Sequence, residues 1–176
     1  MKGEIYFLTG APGVGKTTTA EVLASHFDRS LMLDVDEFRK FVVKGRSEPS
    51  EGWSEETTLQ FHLAHVAVGK VAHLYAEAGF AVVIAHCSSV ESVQTFLEYA
   101  GPSHVICLRA EMESNLTRNR ERQNKSFDPL DIEHFVLSLG ETMPRQYSDA
   151  GFVVLDNTKL TISETVQQIL LSKTSI

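Results

Sequence analysis

Gly10-Ala11-Pro12-Gly13-Val14-Gly15-Lys16-Thr17 keeps the spacing G-x-x-x-x-G-K-[ST] and is followed by Thr18. It lies between the apolar run Glu4-Ile5-Tyr6-Phe7-Leu8-Thr9, which reads as a buried strand, and a helical stretch, Thr17 to Phe27. That stretch carries Ala20, Leu23, Ala24 and Phe27 on one side. Glycines at 10, 13 and 15 open backbone conformations closed to other residues and leave no Cβ in the way, so successive N–H groups can turn inward around an anion. Lys16 reaches the β and γ phosphates, Thr17 offers a hydroxyl to Mg²⁺, and the positive end of the helix that starts here favours the same charge. Residues 10–18 are therefore expected to hold a nucleoside triphosphate, read as ATP, with Mg²⁺.

Working outward, apolar runs at 4–9, 30–34, 80–86, 103–109 and 152–155 are short and nearly continuous, as strands covered on both faces should be. Helical patterns alternate with them. A short one spans Asp36 to Val43, a long one starts at Ser54-Glu55-Glu56 and stops at Gly79, and another opens at Ser88 or Ser89 and closes at Gly101-Pro102. Residues 111–123 form a fifth helix, Asp128-Pro129 opens a sixth, and Thr161-x-x-Glu164 suits a capping box for the last. Strands alternating with helices imply an α/β fold with a parallel sheet between helical layers.

With 176 residues and 43% hydrophobic content, the chain is expected to form a single domain. A net charge of −7 argues against broad nucleic-acid binding. No apolar run approaches a membrane span, so a cytosolic protein, monomeric or homodimeric, is expected. Cys87 and Cys107 read as buried free thiols. His62, His65 and His73 lie along the long helix without a carboxylate or cysteine to complete a metal site.

Asp34-Val35-Asp36 follows Leu31-Met32-Leu33, so two carboxylates sit at the carboxyl end of the second strand, where open parallel sheets place ligands. Alternation along an extended strand would put both on one side. One can hold Mg²⁺ or its waters, and the other can accept a proton from an attacking hydroxyl.

These residues resemble the P-loop kinases of small substrates: shikimate kinase, gluconate kinase, chloramphenicol phosphotransferase, adenylylsulfate kinase and the zeta toxins. Asp34-Val35-Asp36-Glu37-Phe38-Arg39 is similar to the D-x-D-x-F-R form of the zeta toxins and related kinases. The resemblance implies a three-layer P-loop NTPase fold, a five-stranded parallel sheet in order 2-3-1-4-5 and a small lid at about 118–130. It further implies Asp36 as catalytic base, Asp34 as Mg²⁺ partner, with the two able to exchange roles, and Arg39 as a substrate or phosphate contact.

Asn115-Leu116-Thr117-Arg118-Asn119-Arg120-Glu121-Arg122 resembles the R-x-x-x-R segment leading into that lid. Arg118 and Arg122 are one turn apart and share a face. Arg118 is assigned to the nucleotide and Arg122 to the transferring phosphoryl group. Pro144-Arg145-Gln146-Tyr147 resembles an R-x-x-Y segment that would turn Arg145 to the ligand, and Leu155-Asp156-Asn157-Thr158 resembles the turn beside the adenine, with contacts mainly through the backbone.

One departure stands out. Many P-loop NTPases end the third strand here in a carboxylate, whereas this one runs Ile84-Ala85-His86-Cys87-Ser88-Ser89, which shifts Mg²⁺ duty to Asp34. His86 is a candidate substrate contact, as is Trp53 beside the polar stretch 44–56, the expected substrate loop. The leading reading is a kinase moving the γ-phosphoryl group of ATP to a hydroxyl of a small molecule such as a sugar acid, nucleoside or antibiotic. Against a GTPase stands the lack of N-K-x-D and D-x-x-G segments. Against an AAA-type motor stands an acidic pair, Asp36-Glu37, only about twenty residues after Lys16. A nucleotide-binding regulator and a toxin-type kinase acting on a nucleotide sugar or polynucleotide end are the remaining alternatives.

Overall fold

Each strand presents one set of side chains to each face, and both sets are apolar, so the sheet has to be covered twice. In β1 (Ile5–Thr9), Ile5 and Phe7 pack on one side and Tyr6 and Leu8 on the other. The computed structural model describes residues 1–49, 52–120 and 133–172. Its other strands are β2 (Ser30–Leu33), β3 (Ala81–Ala85), β4 (His104–Arg109) and β5 (Val153–Asp156). All pairings are parallel, in the order β2-β3-β1-β4-β5.

Helices α1 (Lys16–Ala24) and α7 (Ile162–Leu171) cover one face, where Ala20, Leu23, Val166 and Ile169 meet Tyr6, Leu8, Val83 and Ile106. The opposite face is covered by α3 (Glu55–Glu77), α4 (Val90–Ala100) and α6 (Glu133–Asp149), with Val68, Ala72, Phe96, Met143 and Tyr147 on Phe7, Ile84 and Val105. Two short helices, α2 (Val35–Lys40) and α5 (Met112–Arg120), leave the carboxyl edge of the sheet. Where α3 crosses α4, a Cβ on Gly69 would lie 2.7 Å from the Phe96 carbonyl oxygen and 3.0 Å from Tyr99 Cβ, so the crossing needs the glycine.

Local signals set most helix starts. Ser54 and Thr57 form a capping box for α3, Ser89 caps α4 through the Ser92 amide, and Thr161 with Glu164 caps α7. The proposed opening of α6 at Asp128-Pro129 and most of the expected lid lie outside the described residues.

One expectation is corrected. β2 stops at Leu33 and α2 begins at Val35, so strand alternation does not relate Asp34 to Asp36. Asp34 is instead the cap of α2, its Oδ1 accepting from the Asp36 amide at 2.8 Å. The helix takes over because Asp34 satisfies an amide in its first turn, with Asp36 and Glu37 at the positive end of its dipole.

Register places the site. Leu33 pairs with Ile84, and Leu8 with Ala85, so β2, β3 and β1 end together. Because β3 lies between the other two, the turn from His86 to Ser88 sits between Asp34-Asp36 and the glycine loop.

Candidate active site

Gly10 takes φ 133° and a Cβ there would meet the Leu108 carbonyl oxygen at 2.2 Å, so no other residue fits where β1 turns into the loop. Gly15, left-handed at φ 91°, precedes α1 without any side-chain cap, and the first turn of α1 holds no acid. The start of α1 therefore offers its amides to an outside anion, which is the property a phosphate requires. Lys16 is buried and its ammonium donates to the Gly10 and Ala11 carbonyl oxygens at 2.8 and 2.9 Å, bracing the loop across its mouth. Thr17 is half-buried and Thr18 exposed at the lip of a groove of about 370 Å³ that runs to Leu160, Thr161 and Ile162.

Asn157 reaches the loop from the far side. It is 2% exposed, and its amide nitrogen donates to the Val14 carbonyl oxygen at 2.8 Å, while its backbone N–H donates to Arg109. The side chain braces the cradle; the groove beside the loop is lined by residues 160–162 instead.

No cluster of three or more histidine, cysteine or acidic side chains suited to a metal exists among the described residues. Mg²⁺ bound to triphosphate draws on one or two protein oxygens and takes the rest from phosphates and water, so a hydroxyl and a carboxylate are the donors it would use here. Thr17 and Asp34 are the protein oxygens on hand, and Asp34 already spends one on its helix cap.

On the acceptor side, Asp36 is half exposed. Its Oδ1 lies 3.5 Å from His86 Nε2 and 3.5 Å from an Arg39 terminal nitrogen. Burial pushes its pKa up, but His86 and Arg39 together outweigh burial and hold it down at about 2. It is an ionised acceptor at neutral pH, with low proton affinity, better suited to orienting a hydroxyl than to stripping it early. Arg39 is 5% exposed, its guanidinium 3.9 Å over the Phe61 ring and its NH2 donating to the Ser47 carbonyl at 2.6 Å. Glu48 stands 3.6 Å away, and Arg39 Nε is buried with no hydrogen-bond partner among the described residues. Trp53 stacks on Phe61 at 5.3 Å between centroids and donates to Thr58 at 2.9 Å, so it anchors the start of α3 while leaving much of its ring exposed.

His86 is buried. Its Nδ1 is 2.7 Å from Ser88 Oγ, which is 2.9 Å from His65 Nε2, and His65 Nδ1 is 2.8 Å from the Phe61 carbonyl oxygen. The Ser88 backbone is pinned too. Its carbonyl accepts from Tyr147 at 2.8 Å and its N–H donates to Thr9 Oγ1 at 3.3 Å, one residue before the glycine loop. Ser88, Thr9 and Tyr147 escaped the sequence reading, which took Ser88 only as an alternative helix cap. The doublet Ser88-Ser89 was the available signal, since one serine suffices to cap.

Other expected residues stand apart. Arg145 is largely exposed on α6 and pairs with Asp149 at 3.8 Å, on the opposite side of the helix from Tyr147; no described interaction joins it to the loop or to Asp36. Arg118 lies on α5, while Arg122 lies outside the described residues. Both cysteines are free thiols, Cys107 buried and Cys87 half-buried with its S–H toward Met143 Sδ at 3.8 Å.

Comparison with known proteins is consistent with this geometry. Residues 7–134 match the family described as "AAA domain". A probable adenylyl-sulfate kinase of Aeropyrum pernix is 30% identical over 96% of this chain and 91% of its own. The adenylyl-sulfate kinase of Myxococcus xanthus is 27% identical over 96% and 89%. A sugar kinase from Janibacter shares the fold with a TM-score of 0.69 at 15% identity, covering 96% of this chain and 93% of that one.

Proposed function

Because the chain belongs to the AAA domain family and to the P-loop small-molecule kinases, we propose that it is an ATP-dependent kinase that transfers the γ-phosphoryl group of ATP to a hydroxyl of a small molecule. The observation that carries this reading is the half-exposed carboxylate of Asp36. It is held ionised by His86 and Arg39 at the same sheet edge as the glycine loop.

In this reading Gly10, Ala11, Pro12, Gly13, Val14, Gly15 and Thr18 wrap the phosphates through the backbone, and Lys16 leaves the loop carbonyls for the β and γ phosphates. Thr17 and Asp34 hold Mg²⁺, which supplies charge neutralisation on the phosphates when bound. Asp36 accepts a hydrogen bond from the acceptor hydroxyl, orients it in line and takes its proton late in the transfer. Arg39, Trp53 and His86 border the acceptor. Arg118 and Arg122 serve the nucleotide and the transferring group, the latter stabilising charge that develops there. The exposed pairing of Arg145 gives no support to a ligand contact.

Specificity for the acceptor is assigned to residues 44–65 and to the surroundings of His86, which carry no code that names a substrate. An adenylyl sulfate, a sugar or sugar acid, a nucleoside and an antibiotic are the classes to try. The name of the matched family favours a second reading, an ATPase without a small acceptor. ATP consumption measured with Mg²⁺ across that panel, with GTP as alternative donor, separates the two. The kinase reading expects one class to raise turnover well above its acceptor-free level; equal binding of ATP and GTP with no stimulation by any class favours the ATPase.

A further inference from the structure

The polar chain behind Asp36 has a direction built into it. A carbonyl oxygen only accepts, so the 2.8 Å contact to Phe61 puts a proton on His65 Nδ1. His65 is 1% exposed, and burial pushes its pKa down to about 4 despite that hydrogen bond, with His86 and His62 adding to the fall and Asp36 opposing it. The ring is neutral at pH 7 and its Nε2 carries a lone pair. Ser88 Oγ, 2.9 Å away, gives its single proton to that nitrogen. Toward His86 Nδ1, at 2.7 Å, the serine can then only accept, so His86 Nδ1 carries a hydrogen. Tyr147 and Thr9 hold the Ser88 backbone, so the hydroxyl cannot swing to another partner without moving the turn.

We propose that Ser88 and His65 are positioning residues that fix His86 with its proton on Nδ1, and so present His86 Nε2 to Asp36 and the acceptor hydroxyl. The place given to the acceptor rests on the phosphotransfer reading; the hydrogen-bond directions do not. The benefit lies in what the other form would do. A neutral His86 with its hydrogen on Nε2 would donate it to Asp36 Oδ1, 3.5 Å away, and occupy the carboxylate lone pair meant for the acceptor. With Nδ1–H fixed, the Nε2 edge of His86 faces Asp36 Oδ1 at 3.5 Å, and an acceptor hydroxyl seated in that gap has the ring nitrogen and the carboxylate oxygen as its neighbours. Arg39 from α2 stands on the other side of the same carboxylate oxygen and keeps it turned toward His86.

The test is a ¹H–¹⁵N correlation through the ring couplings of the full chain labelled in histidine, at pH 7 without nucleotide or acceptor. In the wild type, His65 and His86 should both carry hydrogen on Nδ1. In His65→Phe, which keeps a ring beside Phe7, Ser88 regains a free proton, turns it on His86 Nδ1, and His86 should switch to the Nε2–H form. Ser88→Thr should keep the wild-type pattern. If His65→Phe fails to fold, Ser88→Ala reads the same point, since His86 Nδ1 loses its acceptor. A neutral wild-type His86 protonated on Nε2, or an Nδ1–H that survives both changes, overturns the proposal. With a stimulating acceptor in hand, His65→Phe should lower kcat about tenfold, the low side of acid–base effects, at an unchanged KM for ATP. A switched ring with unchanged kcat also overturns it. If no acceptor stimulates even the wild type, the phosphotransfer reading fails, while the ring spectra still report the hydrogen-bond directions.

Discussion

Asp36 sits under opposing influences: partial burial favours its neutral form, and its neighbours His86 and Arg39 favour the carboxylate and prevail. In the proposed transfer its worth lies in a hydrogen bond made to the attacking hydroxyl, so Asp36→Asn should keep ATP binding and lose transfer at least tenfold. Isothermal titration beside a coupled ATP assay checks both halves, and undiminished transfer removes Asp36 from this role. His65 makes a different prediction. Its folded pKa near 4 lies below the ordinary 6.5, so the unfolded chain binds more protons between those values and stability rises with pH across that window. Its contribution is complete above pH 6.5 and is lost as pH falls to 4, by about 3 kcal/mol. Urea midpoints from pH 7 to 4 should show this fall, and His65→Phe should flatten it. Residue type and spacing singled out Lys16 and the Asp34-Asp36 pair in the sequence, while the choice of Asp36 over Asp34 came from resemblance to a kinase family. Ser88 was not, for its role depends on α3 bringing His65 against the end of β3, a pairing that no local pattern announces.

Helix starts were the most legible elements, since Ser54, Ser89 and Thr161 satisfy amides within their own first turns. Between β2 and α2 the strand period does not continue past Leu33 to Asp36, because the Asp34 cap commits that segment to helix. The strand ends matter for function because β1 and β5 are tied by one side chain, Asn157 on the Val14 carbonyl. Asn157→Ala should release that part of the loop and weaken ATP binding by roughly 1 kcal/mol, about fivefold, with the fold retained. Binding equal to wild type would leave Asn157 as packing only. At the α3–α4 crossing, Gly69→Ala drives a methyl against the Phe96 carbonyl, and thermal unfolding should show a loss of about 1–3 kcal/mol.

For the molecule as a whole, the parallel sheet followed from strands alternating with helices, and its order 2-3-1-4-5 from resemblance to a kinase family. That order places the candidate site: by lying between β2 and β1, β3 puts the His86–Ser88 turn against both the Asp36 carboxylate and Thr9, the residue before the glycine loop. The acceptor was not legible, because the loop proposed to help border it takes its shape from Ser47 and Gln60 tying it to α3. The expected lid, residues 118–130, falls mostly outside the described residues. A kinase and an ATPase differ in where the γ-phosphoryl group goes. ATP labelled in that group, incubated with the protein, Mg²⁺ and each acceptor class in turn, answers it directly: label should leave ATP for one small hydroxyl compound, and Asp36→Asn should slow that transfer. Label recovered only as inorganic phosphate, at a rate indifferent to every acceptor, would contradict phosphoryl transfer to a small hydroxyl compound.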